Sequence, residues 1–324
     1  MSIEIKKALK KIRKKIDNST KTCMIPGCKL PSINSHILQK NGIISSISRD
    51  RYVYELTETD IFKVQSHQLG YEARLIGINK AFSFPLFCNP HDTNVFKTIE
   101  VDNPDFHNYI SFILLSYRAL CTEIRRKLDS KKENELILAD PVIKPIISED
   151  HKNLITVFLD GCNRGIKHLE ALKDLLEIEK TLGNQERFYF QVYEYELIPI
   201  CVYALFTPGE PQQIASKPIG ELPTIFIHIL PFNSRSFILV GCLRTHLNQI
   251  IKEYIESWKN LNKEQLNKMA NDLIVARVET WCCSPDAFEK IPPETLIKYK
   301  KYVKHNAFNH SIEQNINFNL FSDI

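Results

Sequence analysis

The sequence has few glycines and lacks the common nucleotide-binding loops. Only 10 of its 324 residues are glycine, and it contains neither GxGxxG nor GxxxxGK[ST], so a dinucleotide-binding fold or a P-loop has no support. No uncharged stretch reaches the roughly 20 apolar residues that a transmembrane helix needs. The first residues, MSIEIKKALKKIRKKID, lack the continuous apolar segment of a secretory signal. We therefore expect a cytoplasmic protein that has no membrane partner.

The cysteines do not form a regular disulfide framework. There are nine of them, an odd number, scattered over the chain, and the cytoplasm would keep them reduced. A cluster of cysteines is therefore interpreted first as metal-binding or catalytic. Four others stand in apolar helical or strand patterns, where free cysteine commonly packs in the core: Cys121, Cys162, Cys201 and Cys242.

The net charge of +4 conceals an uneven distribution. Residues 1–21 contain eight Lys or Arg and two Asp or Glu, whereas the rest of the chain contains 34 basic and 36 acidic residues. Apolar residues at helical spacing predict an amphipathic helix over residues 3–16. Its lysine and arginine side chains either form a solvated face that keeps the helix soluble or contact the phosphates of a nucleic acid. The candidate phosphate contacts are Lys10, Lys11, Arg13, Lys14 and Lys15.

Hydrophobic periodicity predicts the remaining elements. Steps of three and four residues predict helices, over residues 106–128, 149–182, 245–258, 263–278 and 293–304. Alternation of apolar residues with period two predicts strands, over residues 188–206, 224–230 and 236–241.

This order of elements predicts an α+β protein in three parts. Residues 1–104 would contain the basic helix and a zinc-binding module. Residues 105–183 would form a helical connector. Residues 184–324 would form a mixed domain with a small antiparallel sheet, whose role the sequence does not reveal.

Two pairs of potential metal ligands lie on predicted turns. Cys23 and Cys28 flank a Pro-Gly turn, and Cys88 and His91 are separated by Asn-Pro. Zinc takes four thiolate or imidazole ligands in a tetrahedron, commonly from two such pairs. The spacing therefore predicts a structural Zn²⁺ site formed by Cys23, Cys28, Cys88 and His91. His36 is an alternative fourth ligand, or a free catalytic base.

The order Cys-x4-Cys, Ser-His-Ile, Cys-x2-His-Asp resembles the treble-clef modules of the HNH, or His-Me finger, nucleases. The resemblance covers about residues 20–100 and implies a treble-clef-like fold whose zinc is held by two knuckles. It implies that His36 is the general base and that His91 replaces a cysteine of the second knuckle. Asp92 stands where the family's final histidine stands, and its carboxylate suits a hard cation such as Mg²⁺.

The function implied is nucleic-acid binding through the zinc module and the basic helix, with DNA favoured over RNA. The sharper version is a divergent metal-dependent endonuclease in which His36 activates water. Modules of this kind resemble components of bacterial antiviral defence and of mobile elements. The alternative is a non-catalytic regulatory protein with a purely structural zinc, which binds another protein.

Overall fold

The computed structural model describes residues 3–58, 71–183, 187–209, 217–306, 311–312 and 315–322. Within them the chain is a mixture of helices and antiparallel sheets. The helices are α1 (Ile3–Asp17), α2 (Asn89–Val95), α3 (Tyr109–Ala139), α4 (Glu149–Leu182), α5 (Gln249–Glu256), α6 (Lys263–Arg277), α7 (Pro285–Lys290) and α8 (Pro293–Asn306). The strands are β1 (Ile33–His36), β2 (Tyr52–Glu58), β3 (Tyr71–Gly77), β4 (Ser83–Phe87), β5 (Phe188–Glu196), β6 (Ile200–Phe206), β7 (Ile225–Phe232), β8 (Arg235–Leu243) and β9 (Thr280–Cys283).

Apolar spacing predicts two long helices here, and the structure has both, α3 and α4, packed against each other as a hairpin. Helix α4 begins where the Ser148 side chain accepts a hydrogen bond from the backbone of His151 and ends at Gly183, whose φ of 69° suits glycine. Helix α3 continues to Ala139, beyond the predicted end at residue 128. Residues 129–138 are mostly good helix formers, and Ile137 is buried against α1.

The large sheet has seven strands in the order β3-β2-β9-β6-β7-β8-β5, all paired antiparallel. The expectation of a small sheet is therefore wrong. Strands β2 and β3, from the first hundred residues, join the C-terminal strands through β9. The tight β7–β8 turn uses Asn233 and Ser234, both at positive φ, as two-residue hairpins require. The part boundaries predicted at residues 104 and 183 stay predictions. The sheet contains strands from both the first and the third predicted part of the chain.

Both faces of this sheet are covered. On β7, Phe226 and Leu230 belong to the apolar cluster that includes α3, whereas Ile225, Ile227 and Ile229 belong to the cluster that includes α5 and α6. This alternation follows from the period of two along a strand. Cys121, Cys162, Cys201 and Cys242 are all buried, as predicted. None of the helices described here is long and apolar enough to cross a membrane.

A separate two-stranded sheet pairs β1 with β4, and α2 follows β4 directly. These elements form a unit with the order strand, strand, helix, although β2 and β3 lie between its two strands in the sequence. This ββα unit packs against α3, where Phe87 and Phe96 contact Tyr117. His91 lies on α2 and Cys88 immediately precedes this helix. The turn with Cys23 and Cys28 precedes β1.

Candidate metal centre

Four side chains from two distant parts of the chain converge beside the ββα unit. The Sγ atoms of Cys23, Cys28 and Cys88 and a ring nitrogen of His91 all lie within 4.8 Å of one another. Among the described residues no second group of three or more Cys, His, Asp or Glu side chains meets this condition. The four predicted ligands are therefore brought together.

The first pair is held by a compact turn. The Cys23 backbone nitrogen donates to Leu30 O over 2.9 Å, and the Cys28 nitrogen donates to Ile25 O over 3.1 Å. Gly27 lies between them with a φ of 76°, a conformation that side chains with a Cβ rarely adopt. The Pro-Gly sequence thus lets the chain reverse and turn both thiols to the same side.

The second pair stands where β4 passes into α2. Cys88 is the N-cap residue of α2, and Pro90 occupies the first turn, where its fixed φ favours helix initiation. This places His91 one helical turn from Cys88. The Met24 backbone nitrogen donates to Leu86 O over 2.9 Å, and this bond joins the two turns.

The separations between donor atoms fit a tetrahedral ion. Zn–S bonds of about 2.3 Å and a Zn–N bond of about 2.0 Å set sulfurs about 3.8 Å apart and sulfur and nitrogen about 3.5 Å apart. The Sγ atoms of Cys28 and Cys88 are 3.8 Å apart. His91 Nδ1 lies 3.4 Å from Cys23 Sγ and 3.2 Å from Cys88 Sγ. The cluster can hold a metal ion such as zinc, and three thiols with one imidazole suit zinc better than Mg²⁺ or Ca²⁺.

The Cys23 thiol lies in a setting that disfavours its charged form. Burial raises the pKa of Cys23 to about 11. Because the thiolate is the form that binds a metal, metal binding here is coupled to proton release.

His36 lies at the end of β1 and outside the cluster. Its Nε2 is 3.2 Å from Ile78 O, and β1 pairs it with Ser83 of β4. His91 therefore completes the donor set in this geometry. Burial lowers the pKa of His36 below 6.5, against the opposing effect of its contact with the Ile78 carbonyl. The lowered pKa favours the neutral ring, which is the form that a general base needs.

Asp92 has one carboxylate oxygen near a buried arginine. Its Oδ1 lies 3.4 Å from Nη2 of Arg118, whose Nη1 donates to Glu100. Arg118 comes from α3 and is only 2% exposed. Asp92 thus shares its carboxylate with a buried guanidinium, and its role as a ligand for a catalytic Mg²⁺ stays a prediction. Sequence analysis did not single out Arg118, although its place within the apolar run YISFILLSYRALC was a signal of a buried cation.

The basic helix α1 buries one face and exposes the other. Leu9, Ile12 and Ile16 pack against α3 and α4, and Arg13 Nε donates to Glu133 of α3 over 2.9 Å. The candidate phosphate contacts that remain exposed are Lys10, Lys11, Lys14 and Lys15. None of these four lysines has an ion-pair partner within the described part of the chain.

Comparison of the chain with protein-family models, curated proteins and solved structures finds no match. The cysteine and histidine cluster is consistent with a zinc module. The resemblance to the HNH nucleases therefore stays a prediction from the sequence.

Proposed function

We propose that this protein binds nucleic acid through a module folded around a structural zinc ion. Cys23, Cys28, Cys88 and His91 would hold the zinc. The observation that carries the proposal is the convergence of these four donors beside the ββα unit, together with a cationic helix fixed on the same long helix α3. Zinc contributes folding free energy in such sites because it ties together turns that cannot bury an apolar core.

The four exposed lysines of α1 would provide the electrostatic part of binding. Their neighbours on the inner face of the helix are buried, so the lysine side chains project away from the protein. Arg13 would contribute less to phosphate binding, because its charge is paired with Glu133. Lysines of this kind contact the phosphate backbone and carry little sequence information. Non-specific, salt-sensitive binding is the expected behaviour, with duplex DNA bound more tightly than RNA.

The test replaces the exposed lysines and measures binding as a function of salt. In the α1 variant Lys10, Lys11, Lys14 and Lys15 are changed to Gln. The variant should bind duplex DNA at least about tenfold more weakly at 100 mM NaCl, and the slope of log K against log salt should fall by up to about 4. Fluorescence anisotropy with labelled DNA and RNA measures both quantities.

A matched control removes the same charge elsewhere. In the control variant four exposed lysines at the other end of the chain are changed to Gln: Lys259, Lys263, Lys290 and Lys298. Binding should stay within about twofold of wild type. Nucleic-acid binding that depends neither on salt nor on the α1 lysines would instead favour the alternative, a regulatory protein with a structural zinc that binds another protein.

Phosphodiester hydrolysis by the same module is the second candidate function. What favours it is the position of His36 at the end of the first strand of the ββα unit, with a half-buried, neutral imidazole. A neutral imidazole there would take a proton from water. The proposal extends to an endonuclease of an antiviral or mobile-element system only by analogy with the modules it resembles.

A further inference from the structure

A buried arginine occupies the position next to α2 where the resemblance implies a second, catalytic cation. The guanidinium of Arg118 contacts Asp92 of α2 and Glu100, and its Cζ lies 4.0 Å above the ring of Phe96. The side chain is 2% exposed. Two carboxylates and one aromatic face therefore hold the arginine in one orientation.

The groups around Arg118 are those that would otherwise attract a divalent metal ion. Asp92 and Glu100 both reach one guanidinium, and His36 is close enough for the charges of Arg118 and Glu100 to act on its pKa. Carboxylate oxygens with an imidazole form a common donor set for divalent cations. His36, Asp92 and Glu100 do not form a donor cluster among the described residues.

The charge of Arg118 is permanent, since a guanidinium does not lose its proton in proteins. A dication placed within about 4 Å of it would be repelled and would have to displace it from both carboxylates. We infer that Arg118 replaces the second metal ion in this module: it pairs with both Asp92 and Glu100, and the site takes up no divalent cation. Any work that the module does on a phosphodiester then uses His36 and protein cations alone. The inference rests on the proposed zinc module, but it is tested without nucleic acid.

The experiment measures Mn²⁺ binding to zinc-loaded protein by the loss of the electron paramagnetic resonance signal of free Mn²⁺. Wild type is expected to leave the signal unchanged at equimolar metal and protein. Arg118→Met removes the charge but keeps an elongated side chain, and it should bind Mn²⁺ at least about tenfold more tightly than wild type. Arg118→Met combined with Asp92→Asn should lose that gain. Arg118→Lys keeps the charge and should behave like wild type.

Zinc content and circular dichroism identify the variants that are folded. Stoichiometric Mn²⁺ binding by wild type that is lost in Asp92→Asn would overturn the inference, and so would a folded Arg118→Met that gains no affinity. If Arg118→Met does not fold, wild type and Asp92→Asn still decide the question. Failure of nucleic-acid binding in the lysine experiment would remove the proposed function and leave these Mn²⁺ results unaffected.

Discussion

His91 Nδ1 lies 3.4 Å from Cys23 Sγ, although 68 positions separate the two residues. The contact exists because β1 and β4 pair and bring the turn after β4 against the turn before β1. Each turn forms locally from its own Pro residue and backbone bonds, whereas the pairing needs residues more than forty positions apart. A metal ion held between the turns would therefore stabilise a contact that costs considerable chain entropy.

The first prediction concerns metal content. Wild type purified without added metal should contain one zinc per chain, and Cys88→Ser should lose it, because a serine hydroxyl is a poor zinc ligand. The midpoint of thermal unfolding should fall by at least about 5 °C. Mass spectrometry of the native protein measures the zinc and calorimetry measures the midpoint.

Cys162→Ser is the matched control for this experiment. Cys162 is also buried but lies on α4, outside the donor cluster, so this variant should keep its zinc. A well-folded wild type without zinc would refute both the metal centre and the resemblance that led to it.

The second prediction separates His36 from the zinc ligands. His36→Ala should keep one zinc per chain, because His91 completes the donor set, whereas His91→Ala should lose most of the zinc. His36→Ala should also abolish any phosphodiester cleavage by the wild-type protein, because no neutral imidazole remains to activate water. A plasmid-nicking assay and zinc analysis on the same preparations measure both effects.

Two results would contradict these roles. Loss of zinc in His36→Ala would make His36 a ligand. Cleavage that continues unchanged in a folded His36→Ala would remove the catalytic assignment while leaving the binding proposal intact.

The third prediction is an acid sensitivity that comes from a buried histidine. His228 on β7 is fully buried, with its Nε2 3.3 Å from Ser116 Oγ, and burial lowers its pKa to about 3. In the unfolded chain the pKa is about 6.5, so below that pH the unfolded state binds a proton that the folded state excludes. The contribution of His228 to the free energy of unfolding is thus fully present above about pH 6.5. It declines as the pH falls toward 3, by about 2 kcal/mol at pH 5.

Replacing the histidine should remove this contribution. His228→Leu should lower the difference between the unfolding free energies at pH 7 and pH 5 by about 2 kcal/mol relative to wild type, as measured by urea titration. The exposed His107 provides the control, and His107→Leu should leave that difference unchanged. If the difference between the unfolding free energies at pH 7 and pH 5 is the same in His228→Leu as in wild type, then His228 of the wild type accepts a proton in the folded protein. Comparison with wild type cancels the protonation of the zinc ligands, which both proteins share.

The sequence alone determined the features that depend on near neighbours. The helices α1 and α4 begin and end almost where their apolar spacing and capping residues predict, and the Pro-Gly and Asn-Pro sequences identify the two ligand turns. These elements were predictable because a helix or a turn is specified by residues within a few positions of one another. The three cysteine donors followed from the same local spacing, whereas His91 and His36 remained alternatives for the fourth.

Tertiary structure decided what depends on distant segments. The pairing of β2 with β9 made the sheet larger than expected, since nothing in a strand's own sequence states which strand it pairs with. Only the tertiary packing, which places His36 near Ile78 O and His91 beside Cys23 and Cys88, distinguished the two as fourth donor. The same packing brought Arg118 to Asp92, because a buried charge must meet its counter-charge wherever the fold presents one.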